Sequence, residues 1–117
     1  MDIRHQRRIK IVQQLYAYSF FSQQPIDKFH LKTKKIIEKK DQLNSQIEKF
    51  APRFPLKKIA RVDLAILQLA IYELTIEKKE PPKVIINEAV ELAKELGSER
   101  SYAFINAVLG KIYESIS

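Results

Sequence analysis

The sequence predicts an all-helical protein forming a single domain, and three observations carry that expectation. Residues 62–74, Val-Asp-Leu-Ala-Ile-Leu-Gln-Leu-Ala-Ile-Tyr-Glu-Leu, hold no proline or glycine and few β-branched residues. Their polar members, Asp63, Gln68 and Glu73, do not gather on one face, and a helix apolar on nearly all sides is a buried one. Second, the 117 residues include only two glycines and five prolines, and four of the prolines fall in two places, which favours long helices over many short strands. Third, apolar residues elsewhere recur at helical spacing. The 62–74 stretch is too short and too interrupted by charge to span a membrane, so it reads as the central rod of a helical bundle.

Composition narrows the function classes. A hydrophobic fraction of 45% in 117 residues supplies the core of one ordinary domain. The absence of cysteine excludes disulfides, thiol catalysis and cysteine-ligated zinc. The charged first ten residues contain no apolar signal-peptide core, so a cytoplasmic location is expected. The net charge of +7 is unevenly placed: residues 1–58 carry 14 Lys/Arg against 5 Asp/Glu, and residues 59–117 carry 7 against 9. A basic half suggests a polyanion partner, nucleic acid before membrane, although a basic face can also serve solubility alone.

The first helix is expected over residues 3–21, with Ile9, Val12, Tyr16 and Phe20 as its core stripe, flanked by Leu15 and Ser19. Ahead of that stripe lies Arg4-His5-Gln6-Arg7-Arg8-Ile9-Lys10, where Arg4, Arg7 and Arg8 share a face at i, i+3, i+4. Cations at a helix N-terminus oppose the macrodipole at about 0.3–1 kcal/mol each, so stability alone would not select them. The planar guanidinium fork suits phosphate. The second helix is expected over 27–50, capped by Asp27, with Phe29, Ile36, Leu43, Ile47 and Phe50 inward and Ile37 beside them. Lys28, Lys32, Lys34, Lys35, Lys39 and Lys40 cover its other faces and read first as a solvated surface, second as diffuse phosphate attraction.

Pro52 and Pro55 break the chain before a short helical turn at 56–60 and the central helix, 62–76. Asp63 at the start of that helix is placed to cap free N–H groups and to meet the positive end of the dipole. A helix over 82–96 begins at Pro82, carries Ile85, Ala89, Leu92 and Leu96 on one line with Ile86, Val90 and Ala93 beside it, and closes at Gly97. Its Glu88, Glu91 and Glu95 read as an acidic solvated face rather than metal ligands. Ser98 is expected to cap the last helix, 99–115, with Ile105, Val108, Leu109 and Ile112 inward and Ser101, Tyr102 and Asn106 exposed.

Catalysis is not expected. The two histidines, His5 and His30, lie in different elements, and there is no glycine-rich phosphate loop, HExxH motif or nucleophile elbow. No cofactor or metal is implied. Two patches remain as binding candidates. One is the basic stretch at 4–10. The other is the 97–106 junction, where Ser98, Arg100, Ser101 and free N–H groups suit a phosphate and Tyr102 and Phe104 suit base stacking. Core packing is the alternative for both aromatics, and spacing does not say whether the patches adjoin.

These residues also resemble a known family. Residues 62–74, then Pro81-Pro82-Lys83-Val84-Ile85-Ile86-Asn87-Glu88-Ala89-Val90-Glu91-Leu92-Ala93-Lys94, Gly97-Ser98-Glu99 and Phe104-Ile105-Asn106-Ala107-Val108-Leu109 are similar to the C-terminal half of the NusB transcription antitermination factors. The likeness is ordered over about residues 50–112, and Arg4 followed by Gln14-Leu15-Tyr16 resembles the family's arginine-rich first helix. The resemblance implies two packed helical sub-bundles and binding of single-stranded boxA-type ribosomal RNA leader together with the ribosomal protein NusE, in support of the transcription elongation complex. It places the RNA surface on Arg4, His5, Gln6 and Arg8, with Arg7, Lys10, Ser98, Arg100, Ser101, Tyr102 and Phe104 added from the patches above. It places Tyr16 and Asp63 in the region of RNA or NusE contact. The chain departs from the family at His5 and Gln6, commonly basic, at Arg7, usually small, at Arg100, frequently an acid, and at Ala107, commonly glycine. It is also short between the first and central helices. The rival readings are a protein-interaction module with a merely solvating basic face and, more remotely, the helical domain that precedes some RNA methyltransferases.

Overall fold

The computed structural model describes residues 2–117, and among them the regular structure is entirely helical. Helix α1 spans Ile3–Phe20, α2 Leu31–Glu38, α3 Lys40–Phe50, α4 Arg61–Tyr72, α5 Pro82–Leu96 and α6 Ser101–Ile116. A 3₁₀ turn at Leu56–Lys58 leads into α4, and a π turn at Glu73–Glu77 continues it. The expected domain starts at residue 1, which lies outside the described residues.

Helix α4 is the rod around which the bundle is built. It packs against α1, α2, α3, α5 and α6, and from Ala65 to Leu74 every residue is buried. Its polar Gln68 is satisfied across the core by Asn44 of α3, whose Oδ1 accepts from Nε2 at 2.9 Å. Asp63 lies in the first turn but makes no capping hydrogen bond; the cap position is Ala60. Its expected role as a cap therefore gives way to a buried carboxylate.

The stripe of α1 is rotated from the expected one. Arg8, Ile11, Val12 and Leu15 are buried, whereas Tyr16 and Phe20 are exposed. Both stripes have helical spacing, so periodicity alone cannot choose between them, and the carboxylates that receive Arg8 decide it.

The single helix expected over 27–50 is two. Residues 27–30 form a turn closed by the Phe29 N–H on the Ile26 carbonyl at 2.9 Å, and His30, not Asp27, caps α2, its Nδ1 accepting from the Lys32 N–H at 3.0 Å. Gln14 of α1 fixes this corner, accepting from the His30 N–H at 3.0 Å and the Thr33 hydroxyl at 2.7 Å. At Lys39 the backbone opens to φ −97°, ψ 10°. The bend lets α2 lean on α1 while α3 reaches α6. No glycine or proline marks it.

Of the two further caps, one is as expected and one is not. Gly97 is the C-cap of α5, its N–H donating to the Ala93 carbonyl at 2.9 Å, with φ −96° rather than left-handed backbone. A Cβ there would stand 2.4 Å from the Ser101 hydroxyl oxygen and 2.8 Å from the Ala93 carbonyl oxygen, so glycine is required by close approach. Ser98 does not cap α6, which starts at Ser101 behind a turn. Instead the Ser98 N–H donates to the Ser101 hydroxyl at 2.9 Å.

Candidate nucleic-acid interface

The basic first turns of α1 divide into two faces with different tasks. Arg4, Arg7 and Lys10 point outward. The Arg4 side chain is 70% exposed and makes one long contact, 3.6 Å, with Glu80. Arg7 and Lys10 make no ion pair among the described residues. Gln6 is exposed beside them.

Arg8 faces the other way and is 4% exposed. Its Nε and Nη2 donate to the two carboxylate oxygens of Glu73 at 2.9 and 2.7 Å, its Nη1 donates to Glu88 at 3.2 Å, and Nη2 also meets Glu80. Burial opposes the guanidinium charge, but Glu73 and Glu80 outweigh it and hold the pKa above its ordinary value. Lys32 completes the network, 3.4 Å from Glu73 and 3.0 Å from Glu77. Arg8 is thus a buried structural anchor, and of the three arginines expected on one face only Arg4 and Arg7 are exposed, with Arg8 at the floor of the concavity that all three line.

His5 is pinned in the same manner. Its Nδ1 lies 3.2 Å from Glu88 and its Nε2 2.7 Å from Glu95. Only the imidazolium can donate to carboxylates at both nitrogens. Burial works against that charge, yet Glu95 and Glu88 together more than offset it and raise the pKa. The bond to Glu95 sets the first turn of α1 against the last turn of α5, immediately before the 97–106 junction. The bond thereby ties the first turn of α1 to the helix end that leads into the junction.

At that junction Arg100 and Tyr102 are exposed, and Lys94 lies over the Tyr102 ring at 5.6 Å. Ser101, expected to be exposed, is 2% exposed and holds the turn through Ser98. Phe104 is half-buried and packs edge-to-face on Phe54 at 5.1 Å, which leaves Tyr102 as the ring presented to solvent. Asp63 is buried next to Ser101. Burial pushes its carboxyl above the ordinary range while Ser101 holds it down, and its Oδ1 lacks a hydrogen-bond partner among the described residues.

An aromatic patch lies at the other end of α1, where periodicity put Tyr16 and Phe20 in the core and only the resemblance set Tyr16 in a contact region. Tyr16 packs edge-to-face on Phe20 at 4.9 Å, the Arg61 guanidinium lies 4.3 Å from the Phe20 ring centre, and Phe21 is exposed beside them. Arg61 also donates to the Ser19 carbonyl. The signal was the competing stripe: once residues 8, 11, 12 and 15 face inward, positions 16 and 20 must face outward. No group of three or more His, Cys, Asp or Glu side chains among the described residues could hold a metal ion, and no helix is long and apolar enough to cross a membrane.

Comparison with known proteins decides the family, since the NusB family model matches residues 3–114. The chain belongs to the NusB family. It is 47% identical over 79 residues to the transcription antitermination protein NusB of Acetivibrio thermocellus, covering 68% of this chain and 54% of that protein. It is 51% identical over 70 residues to NusB of Clostridium tetani, covering 60% and 46%. The matched segment thus spans about half the length of these curated relatives. The fold agrees with T. maritima NusB at a TM-score of 0.83 and 27% identity, over 97% of this chain and 92% of that one. It also agrees with a crystal structure of antitermination factors NusB and NusE in complex with double-stranded RNA, at a TM-score of 0.78 and 21% identity over 97% and 99% of the two chains, a likeness of fold. In this NusB-family chain the Arg8–Glu73 pair sits at the meeting of α1 with the end of α4, and the exposed Arg4, Arg7 and Lys10 project from the same helix.

Proposed function

We propose that this NusB-family chain is a non-catalytic, cytoplasmic transcription antitermination factor. It binds a single-stranded boxA-type ribosomal RNA leader jointly with the ribosomal protein NusE, within the transcription elongation complex. The reading is supported by the outward-facing Arg4, Arg7 and Lys10 of α1, and by the His5–Glu95 clamp, which holds the first turn of that helix against the end of α5 that leads into the Arg100 and Tyr102 junction. Guanidinium and ammonium groups there meet phosphates, and Tyr102 offers a face for one unstacked base. Gln6 lies on the same exposed surface. His5, Ser98 and Ser101 shape the site from below, and Phe104 supports it from the core side. Tyr16, with Phe20 and Arg61, forms the face offered to NusE. Asp63 holds the α4 end of the junction.

The test is binding to a boxA-like single strand and to a scrambled control, with and without NusE, at two salt concentrations. Selective binding strengthened by NusE supports the reading. Replacing Arg4, Arg7 and Lys10 by Gln should flatten the dependence of log K on log salt by about 0.7 for each phosphate no longer neutralised. An unchanged slope removes them from the site. The exposed aromatic patch favours a second reading, an interaction module that binds NusE without RNA. Tight NusE binding with only weak, non-selective RNA binding would place that reading first.

A further inference from the structure

We propose that the concave face between α1 and α2 is a second RNA contact, which holds the backbone of single-stranded RNA flanking the segment bound at the α5–α6 junction. This rests on the RNA-binding reading above. The concavity has a volume of about 450 Å³. Arg4 and Arg7 line it from α1, Lys32 and Lys35 from α2, and Lys79 from the connector after the π turn. Two carboxylates, Glu77 and Glu80, also line it, but both are engaged: Glu77 accepts from Lys32 at 3.0 Å, and Glu80 pairs with Arg8 and Arg4. Arg7, Lys35 and Lys79 make no ion pair among the described residues.

Three features separate this groove from a solvated lysine surface. Its cations come from three elements far apart in sequence, and the buried Arg8–Glu73–Lys32 network fixes their relative positions. A low-dielectric concave wall focuses their field more than a convex surface does. His30 stands among Arg7, Lys32 and Lys10, and its ring has already yielded Nδ1 to the Lys32 N–H. The lining contains no Phe, Tyr or Trp ring, its one imidazole, His30, is held by the Lys32 N–H, and only Leu31 and Ile11 are apolar members. Such a surface reads phosphate rather than bases, and it offers an acidic peptide little apolar anchorage. Arg4 and Arg7 belong to both patches, so one strand can pass from the junction into the groove.

The test compares two RNAs in the presence of NusE across a salt series. One is the boxA-like segment alone, and the other is the same segment extended by about ten uridines at each end, within the span that single-strand sites cover. The parent protein should bind the extended strand more tightly and with a steeper salt slope. The double variant Lys35→Gln/Lys79→Gln alters two exposed side chains. It should lower the slope for the extended strand by about 1.4, at roughly 0.7 for each phosphate, and leave the short strand unchanged. The extended strand should also raise the pKa of His30, followed by NMR, because a phosphate offsets the cations around it. Equal slopes for parent and variant on the extended strand, with the short strand still bound, would overturn the groove alone. Failure of the parent to bind either strand would overturn the RNA-binding reading and the groove with it. An acidic peptide that occupies the groove and shifts His30 where the extended strand does not would assign the face to a protein instead.

Discussion

Arg8 shows what burial does to a charge. A guanidinium 4% exposed is tolerable only because Glu73, Glu80 and Glu88 receive its N–H groups. Removing one partner from such a pair costs about 3–5 kcal/mol, because the other is stranded. Arg8→Met should therefore destabilise the protein by about that much in urea unfolding, towards the lower end because Lys32 still faces Glu73. Arg8→Met/Glu73→Met should cost clearly less than the sum of the two single changes. Simple additivity would mean that the pair is not coupled. The two histidines supply a second prediction. His5 has a raised pKa, so its contribution is present below about 6.5, the unfolded value, and fades as pH rises through the folded value. His30 is lowered, by burial first and then by Arg7, Lys32 and Lys10, so it costs stability as pH falls below about 6.5. His5→Gln should thus lose more stability at pH 5.5 than at pH 8.5, whereas His30→Asn, which keeps a capping acceptor, should gain on the parent as pH falls. Parallel pH profiles for the two variants would contradict the assigned environments.

At the scale of elements, the two glycines play opposite parts. Gly97 lies where the end of α5 meets the start of α6, and a methyl group there would drive into the Ser101 hydroxyl and the Ala93 carbonyl. Gly97→Ala should cost about 1–3 kcal/mol, as overpacking does, and loosen the junction that presents Tyr102. Gly110 lies inside α6 with nothing within 4 Å of a built Cβ. Gly110→Ala should raise stability by about 0.5–1 kcal/mol, the ordinary gain for a helix interior. Thermal unfolding of the two variants distinguishes them by sign. The π turn also acts at this scale. The Lys78 N–H closes on the Glu73 carbonyl at 2.9 Å, and Lys78 ends the turn with φ 55°. This wider turn lies between the buried Glu73 and Glu77, the two carboxylates that Lys32 joins.

Across the whole molecule, α1 joins two candidate surfaces. Arg4 and Phe20 are separated by about 24 Å along the helix at 1.5 Å per residue, so the basic and the aromatic ends can engage different partners at once. Tyr16 and Phe20 are 42% and 59% exposed, more than core residues would be. Tyr16→Ser/Phe20→Ser should therefore change stability by only about 0.5 kcal/mol per site while weakening NusE binding tenfold or more. A large loss of stability with NusE affinity intact would return both rings to a packing role.

The helical class, the buried rod at residues 62–74, the core lines of α5 and α6, and the family resemblance are all legible in the amino-acid order. Each of these is written in neighbouring residues, because a helix face repeats every three or four positions. The fate of the basic residues was decided only by the tertiary structure. Arg4, Arg7 and Arg8 look alike in the chain, yet Arg8 is drawn inward by carboxylates 65, 72 and 80 residues away. His5 is fixed by partners 83 and 90 residues away. The rotation of α1 and the outward turn of Tyr16 and Phe20 follow from the same cause. Periodicity says that a helix has a buried face, but a charged residue joins that face only where distant partners satisfy it, and those partners are assembled by the fold.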